Sequence, residues 1–414
     1  QRKSWIEERE EEKEATNEDA TEDGRGNNTT NTTATAVKRV NITIFGPGEE
    51  YPLIFGRTRS QVIGVSGLPS EVVFSCGGSR CIDLSTGHAP LRIRDVTLRD
   101  GHGVDGGGVY APVKILDVIY LESCILVNNS AVRNGGGMFL TQATKFVVTS
   151  CSFAGNSAGS SGGAVWMDSS VLDVQSSSFT RNEAGLSGGA IRAISTTTGS
   201  AITFRSVLSD SNFAAGGGGG SVSAIGSVVS FSDATSGHND TCNGRDGGGF
   251  LHLEACNAQL SDVTMTKCRS VTASGGAIAA TGTQLRVARS SIVESVSSGS
   301  GGAFLVSLTT LDVLDTLFDK NIAVGDRRAN IGGGALSLQV RSKVVVSGST
   351  FQGNSATTSG GAITCDGCDM LVLLATSFRS NAAGRGGARR RDGGRGHPAQ
   401  GYGLQDAGGR GHRL

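Results

Sequence analysis

Two short phrases that return in a fixed order constrain this chain more than anything in its composition. Phe153 is followed at the third position by Asn156, and then by Gly162-Gly163-Ala164-Val165. Phe179 is followed by Asn182, and then by Gly188-Gly189-Ala190-Ile191, with the whole pattern displaced by 26 residues. It returns at Phe351, Asn354 and Gly360-Gly361-Ala362-Ile363. A recurrence in constant order has to be read as a structural repeat before any local element is assigned.

The last glycine of each cluster leading into an apolar run gives the spacing. These are Gly108, Gly137, Gly163, Gly189, Gly220, Gly249, Gly276, Gly302, Gly334, Gly361 and Gly387, in steps of 26 to 32 residues. The apolar-x-x-Asn half also recurs at Ile125/Asn128, Phe318/Asn321 and Phe378/Asn381. It decays in the middle, where Met265 is followed by Cys268 and Ile292 by Ser295.

Within each unit, runs such as Val165 to Met167, Val171 to Val174, Val344 to Val346 and Leu371 to Leu374 are apolar, often β-branched, and bounded by turn residues. No unit carries a 3.6-residue apolar stripe long enough for a helix. About three short strands per 26-residue unit predict an all-β chain: a single-stranded, right-handed parallel β-helix of about eleven coils. At the spacing of neighbouring strands the rod is about 50 Å long. Equivalent side chains then form columns: Phe153, Phe179, Phe318 and Phe351 in one, and Asn156, Asn182, Asn321 and Asn354 in an amide ladder. Gly163, Gly189 and Gly361 precede a small inward alanine.

The GGA[ILV] and FxxN phrases resemble the repeats of chlamydial polymorphic outer membrane proteins, a family of adhesin-like autotransporter passengers. More broadly the chain is similar to right-handed β-helix proteins of the pectate-lyase-like superfamily. The resemblance covers roughly Val62 to Ala388. It implies a fold and a surface location, and carries over no catalytic residue, because the motif is structural.

The flanks differ. Residues 1–37 hold an acidic run and an Asn/Thr tract, a composition expected to be disordered. The solenoid is expected over 38–388, with 38–75 as its N-terminal cap, because an open end invites edge pairing. Val40 to Phe45, Gln61 to Val65, Glu71 to Phe74 and Leu91 to Leu98 are the expected opening strands. Polar stretches at Ser232 to Asp246 and Ile322 to Ile331 read as insertions on one face. Residues 389–414 open with Arg389-Arg390-Arg391 where a strand is due, and are expected to be a disordered tail or a reading-frame artefact. No signal peptide is legible before the repeats.

Lys plus Arg equals Asp plus Glu, at 37 each, which gives no argument for nucleic acid. No run of about twenty apolar residues spans a membrane. Of nine cysteines, Cys124 and Cys151 lie one coil apart and Cys76 and Cys81 flank a short loop, so both pairs are disulfide candidates. Cys365-Asp366-Gly367-Cys368 lacks the partners of a zinc site. Sequons at Asn27, Asn28, Asn31, Asn41 and Asn239 suggest glycosylation in a secretory compartment. A sixth, at Asn128, is discounted because that residue is assigned to the ladder.

Asp95, Glu122, Asp262 and Asp315 form a broken carboxylate column, the basis for an alternative reading as a polysaccharide lyase or glycoside hydrolase of the same fold. The expectation is a secreted or cell-surface rod, structural or adhesive, that binds a glycan or protein multivalently without a cofactor.

Overall fold

The computed structural model describes residues 72–384 except 86–90, 114–117, 143, 197–198 and 326–331, together with strands Val40–Ile42, Leu53–Ile54 and Ser60–Ile63. It is a right-handed parallel β-helix of about eleven coils, with no helix among the described residues.

Each coil holds four strands, one more than expected. In one coil they are Val171–Gln175, Ser178–Thr180, Glu183–Ala184 and Ile191–Ile194. The two-residue third strand is too short to show as an apolar run. The four strands stack into parallel sheets of 13, 12, 11 and 12 strands, here called the first to the fourth sheet in coil order.

Left-handed residues make the corners. Ser176 (φ 48°) separates the first strand from the second, and Arg181 (φ 52°) the second from the third. The same device corrects the reading of Leu91 to Leu98 as one strand. Asp95 (φ 57°) breaks it into Leu91–Arg94 in the first sheet and Thr97–Arg99 in the second.

Between the third and fourth strands the glycine pair does two different jobs. Gly162 takes φ 68°, which a side chain disfavours. At Gly163 a Cβ would lie 2.2 Å from the Gly189 carbonyl oxygen of the next coil. The first requirement is conformational and the second is lack of space, so the pair cannot be shortened to one glycine.

The core runs along the axis as columns. Phe153 pairs in register with Phe179, with ring centroids 4.7 Å apart. Phe318, Phe351 and Phe378 continue the same column further on. Fully burying each such ring contributes on the order of 1.5–3 kcal/mol.

Two register expectations are corrected. Leu126, not Ile125, pairs with Phe153, which puts Asn129 rather than Asn128 opposite Asn156. In the three-glycine runs, Gly107 and Gly136 rather than Gly108 and Gly137 correspond to Gly163, because Met138 pairs with Val165 and Val109 with Met138. In both cases a neighbour of the same chemical type stood one position away from the structural one.

Ser232 to Asp246 is not an irregular insertion. It supplies the regular strands Ser236–His238 and Thr241–Cys242. The other expected insertion falls largely on 326–331, outside the described residues, as do both tails. Within the segment expected to cap the rod, Val40–Ile42 and Ser60–Ile63 add parallel rungs to the first sheet, and Leu53–Ile54 one to the fourth.

Candidate binding faces

Parallel stacking leaves the backbone at each corner with donors that a side chain one coil away can satisfy. At the second corner that side chain is an amide. Asn129, Asn156 and Asn182 each donate Nδ2–H to the Oδ1 of the next member, Asn156, Asn182 and Asn212, at 2.9–3.0 Å. The same Oδ1 accepts the backbone N–H of the preceding member at 2.9–3.1 Å. Each Nδ2 also donates back to an earlier carbonyl, as Asn156 does to Leu126. Asn321, Asn354 and Asn381 form a second run.

Asn212 and Asp240 belong to this ladder and were not read from the sequence, because Ser209 and Gly237 stand where phenylalanine marks the phrase elsewhere. Asp240 is fully buried and accepts from Asn212 N and Nδ2 through Oδ1, and from the Ser209 hydroxyl through Oδ2, each at 2.9 Å. Burial pushes its carboxyl up to about 7, against the opposing pull of those hydrogen bonds. Cys268 and Ser295 then interrupt the amides. The Ser295 hydroxyl has no hydrogen-bond partner among the described residues, while its backbone N–H donates to Asn321 Oδ1.

The first corner carries a hydroxyl and thiol version. Cys124 N–H donates to Cys151 Sγ at 3.3 Å, Cys151 N–H to Ser177 Oγ at 3.0 Å, and Ser290 and Thr316 repeat the arrangement further along. The expected Cys124–Cys151 disulfide is therefore absent, and both thiols are free and buried. In-register parallel strands hold equivalent Cβ atoms near the strand spacing of about 4.8 Å, wider than a disulfide prefers. The two thiols also point the same way, each donating to a carbonyl of the preceding coil, Ile93 or Leu121.

Cys242, Cys256 and Cys268 are likewise free and buried. Burial pushes Cys242 up to about 11 and Cys268 well above the ordinary thiol range, so neither is a reactive thiolate. Cys76 and Cys81 are joined by a disulfide around the Gly77 to Arg80 loop, and Cys365 and Cys368 by another.

Three of the four carboxylates read as a column form ion pairs, while Asp315 is a left-handed corner residue (φ 46°) with no ion pair among the described residues. Asp262 meets Arg289 through two bonds of 2.9 and 2.7 Å, and this holds its carboxyl below the usual range. Asp95 lies against Arg94. Glu122 meets Arg92 at 2.7 Å and is not in this column at all: it ends a strand, and Ser123 takes the corner place. The one-residue slip that misplaced Asn128 explains this as well.

Asn128 and Asn239 are both exposed, left-handed residues at the second corner, each immediately before a buried ladder member. Asn239 Nδ2 donates to Asp210 at 3.2 Å. Asn27, Asn28 and Asn31 lie outside the described residues, and of Asn41 only the strand is described.

One outward column is unlike the rest. On the fourth sheet Tyr110, Phe139, Trp166, Arg192, Ser223 and His252 follow each other in register. The Phe139 and Trp166 rings are 4.6 Å apart and nearly parallel, and Tyr110 stacks on Phe139 at 5.5 Å. The Arg80 guanidinium lies 3.8 Å from the Tyr110 ring centre and is paired with Asp83.

At the other end of the rings Arg192 turns its guanidinium forward to the Ser223 hydroxyl, which is 3.1 Å from His252 Nδ1. Burial draws both Arg192 and His252 below their ordinary values, with Asp246 and Glu254 opposing from a distance. The imidazole is therefore neutral at pH 7. These residues differ in type and are spaced by 26 to 31 positions, but each stands three residues after the structural glycine of its coil (Gly107, Gly136, Gly163, Gly189, Gly220 and Gly249), so the glycine phrase already marked the column that sequence reasoning left unused. Among the described residues no group of His, Cys, Asp and Glu is arranged to hold a metal, and no helix is long and apolar enough to cross a membrane.

No curated protein and no solved structure matches the chain. Two segments, residues 150–167 and 348–366, match the Chlamydia polymorphic membrane protein repeat, each running from the first corner through the FxxN and glycine phrases into the fourth strand.

Proposed function

We propose that this chain is a rod secreted or displayed at the cell surface, which holds glycan or protein partners through many weak contacts. The observation that carries the reading is the constant register. Any outward position recurs once per coil, so that Asn128, Arg181, Asn239, Lys267, Glu294 and Lys320 line a single edge. Sites repeated on a stiff support raise the effective concentration of each next contact. The match to a membrane-protein repeat supports the surface location, and the two disulfides fit an oxidising compartment.

The test is binding of purified protein to immobilised extracellular glycans and surface proteins at high and low density. Retention that collapses at low density is the expected result. Release of soluble products from an acidic polysaccharide replaces this reading with the hydrolase or lyase alternative. Surface placement is checked by protease treatment of intact cells, where protection of the chain overturns it.

A further inference from the structure

We propose that the outward column Tyr110–Phe139–Trp166–Arg192 is a binding strip for a carboxylated oligosaccharide. The proposal rests on the surface-binding reading above and names the site and ligand class for it.

Three observations converge. First, the rings stack on one another, so what they turn outward is ring edge, the electropositive part of an aromatic quadrupole. Oxygen-rich ligands complement it. Tyr110 and Trp166 are partly exposed, and neither the phenol nor the indole N–H makes a hydrogen bond within the described residues. Trp166 Nε1–H and the Tyr110 hydroxyl are thus available to sugar hydroxyls.

Second, the strip has a cation at its end without a carboxylate of its own. Arg192 donates to the neutral Ser223 hydroxyl, and among the described residues it makes no ion pair, whereas Arg80 at the opposite end is paired with Asp83. A guanidinium offers a planar fork that matches a carboxylate with two parallel bonds. The guanidinium is largely withdrawn from solvent by the residues around it, which strengthens its attraction to an anion that reaches it.

Third, the geometry is linear. Tyr110 to Arg192 spans three rungs, about 14 Å at the strand spacing, a length suited to an extended run of a few sugar rings. One unpaired guanidinium per strip, on a chain of zero net charge, fits a sparsely charged uronic-acid chain. A densely sulfated polymer would call for a broad cationic field, whereas Arg192 is the one Arg or Lys in the described column from Tyr110 to His252.

The test is calorimetric titration of the whole chain with hyaluronan hexasaccharide, its carboxyl-reduced derivative, and neutral chitohexaose. The expected order is hyaluronan fragment above both neutral probes. Arg192→Gln and Trp166→Ala should each weaken hyaluronan binding about tenfold. Arg192→Gln should leave the carboxyl-reduced probe unaffected. Trp166→Phe keeps the stack and removes the N–H, so a partial loss there, with an unchanged circular dichroism spectrum, separates contact from folding. Arg286→Gln, on the first sheet, should change nothing. Equal binding of all three probes, no binding of any, or insensitivity to Trp166 and Arg192 overturns the strip. If the chain still binds another glycan or protein in a density-dependent way, only the strip fails. If it binds nothing, the surface-rod reading fails too.

Discussion

The coils around Phe153 and Phe351 and the two coils that run from Leu208 to Phe250 follow one plan, with the large and small residues exchanged at Gly237 and Phe250 in the second of these. In the former, phenylalanine fills the second-strand column and alanine follows the glycine pair, as at Ala164 and Ala362. In the latter, Ser209 and Gly237 take the phenylalanine places, and Ser221 and Phe250 take the alanine places. A Cβ on Gly237 would sit 2.5 Å from the Phe250 ring, so that ring occupies the space the missing phenylalanine leaves. Phe204 and Phe231 carry the aromatic contact across, from Phe179 to Phe250. The fold thus keeps the volume of each cross-section and allows its source to move from one wall to another, as close packing requires.

The largest expected effect comes from breaking that exchange. Phe250→Ala should cost about 3–5 kcal/mol by emptying the cross-section, and Gly237→Phe should be at least as damaging because two rings would compete for one space. The double variant Gly237→Phe/Phe250→Ala restores the arrangement of the outer coils. Its denaturation midpoint should lie well above the additive expectation, and strict additivity would show that the two positions do not share a volume.

Next in size is the ladder. Asp240 stands where the outer coils have asparagine, with its carboxyl raised from 3.8 to about 7 in the fold. A carboxyl raised on folding contributes stability that is fully present below its unfolded value and is lost as pH rises through its folded one. Stability should therefore fall between about pH 4 and 7 by up to ~4 kcal/mol. Asp240→Asn should remove that slope and stabilise the protein at pH 8. Parallel pH profiles of urea midpoints for the two proteins would show that Asp240 is not the cause.

A smaller effect separates the two amide runs. Asn354→Ala, inside a continuous run, orphans buried groups on two coils and should cost about 1–3 kcal/mol. Ser295→Asn, at the interruption, should instead gain about 0.5–1.5 kcal/mol by joining Asn321. Thermal unfolding of both variants checks the opposite signs.

The smallest effect concerns the thiols. Cys151→Ser places a hydroxyl where Ser177 already has one, and should shift stability by less than about 1 kcal/mol. Denatured, unreduced protein should titrate five thiols, since four of the nine cysteines are bridged. Three thiols would show that Cys124 and Cys151 are joined after all.

Most of the architecture was legible because its strictest demands fall on residue types with few substitutes. A left-handed turn with a carbonyl pressed against it needs the glycine pair, and a buried corner with two donors to satisfy favours asparagine. Where substitutes exist the signal failed. Serine, threonine and cysteine serve equally as acceptors at the first corner, which hid the ladder there and made Cys124 and Cys151 look like a bridge. Gly237 backed by Phe250 made a regular coil look like an insertion. The two-residue strand left no run to detect.

The sequence by itself determined the coil, its handedness and the approximate number of windings, since these follow from local turn chemistry repeated at one period. Tertiary structure decided the register where the phrases are degenerate, at Leu126 and Asn129, in the three-glycine runs, and at Ser209 and Gly237. The loops at the corners vary in length, so the step from one rung to the next changes between 26 and 31 residues along the column from Phe139 to His252. The glycine phrase, three residues before each member, marks that register, and backbone hydrogen bonding between successive windings holds it. It is this register that brings Tyr110, Phe139, Trp166 and Arg192 onto one face.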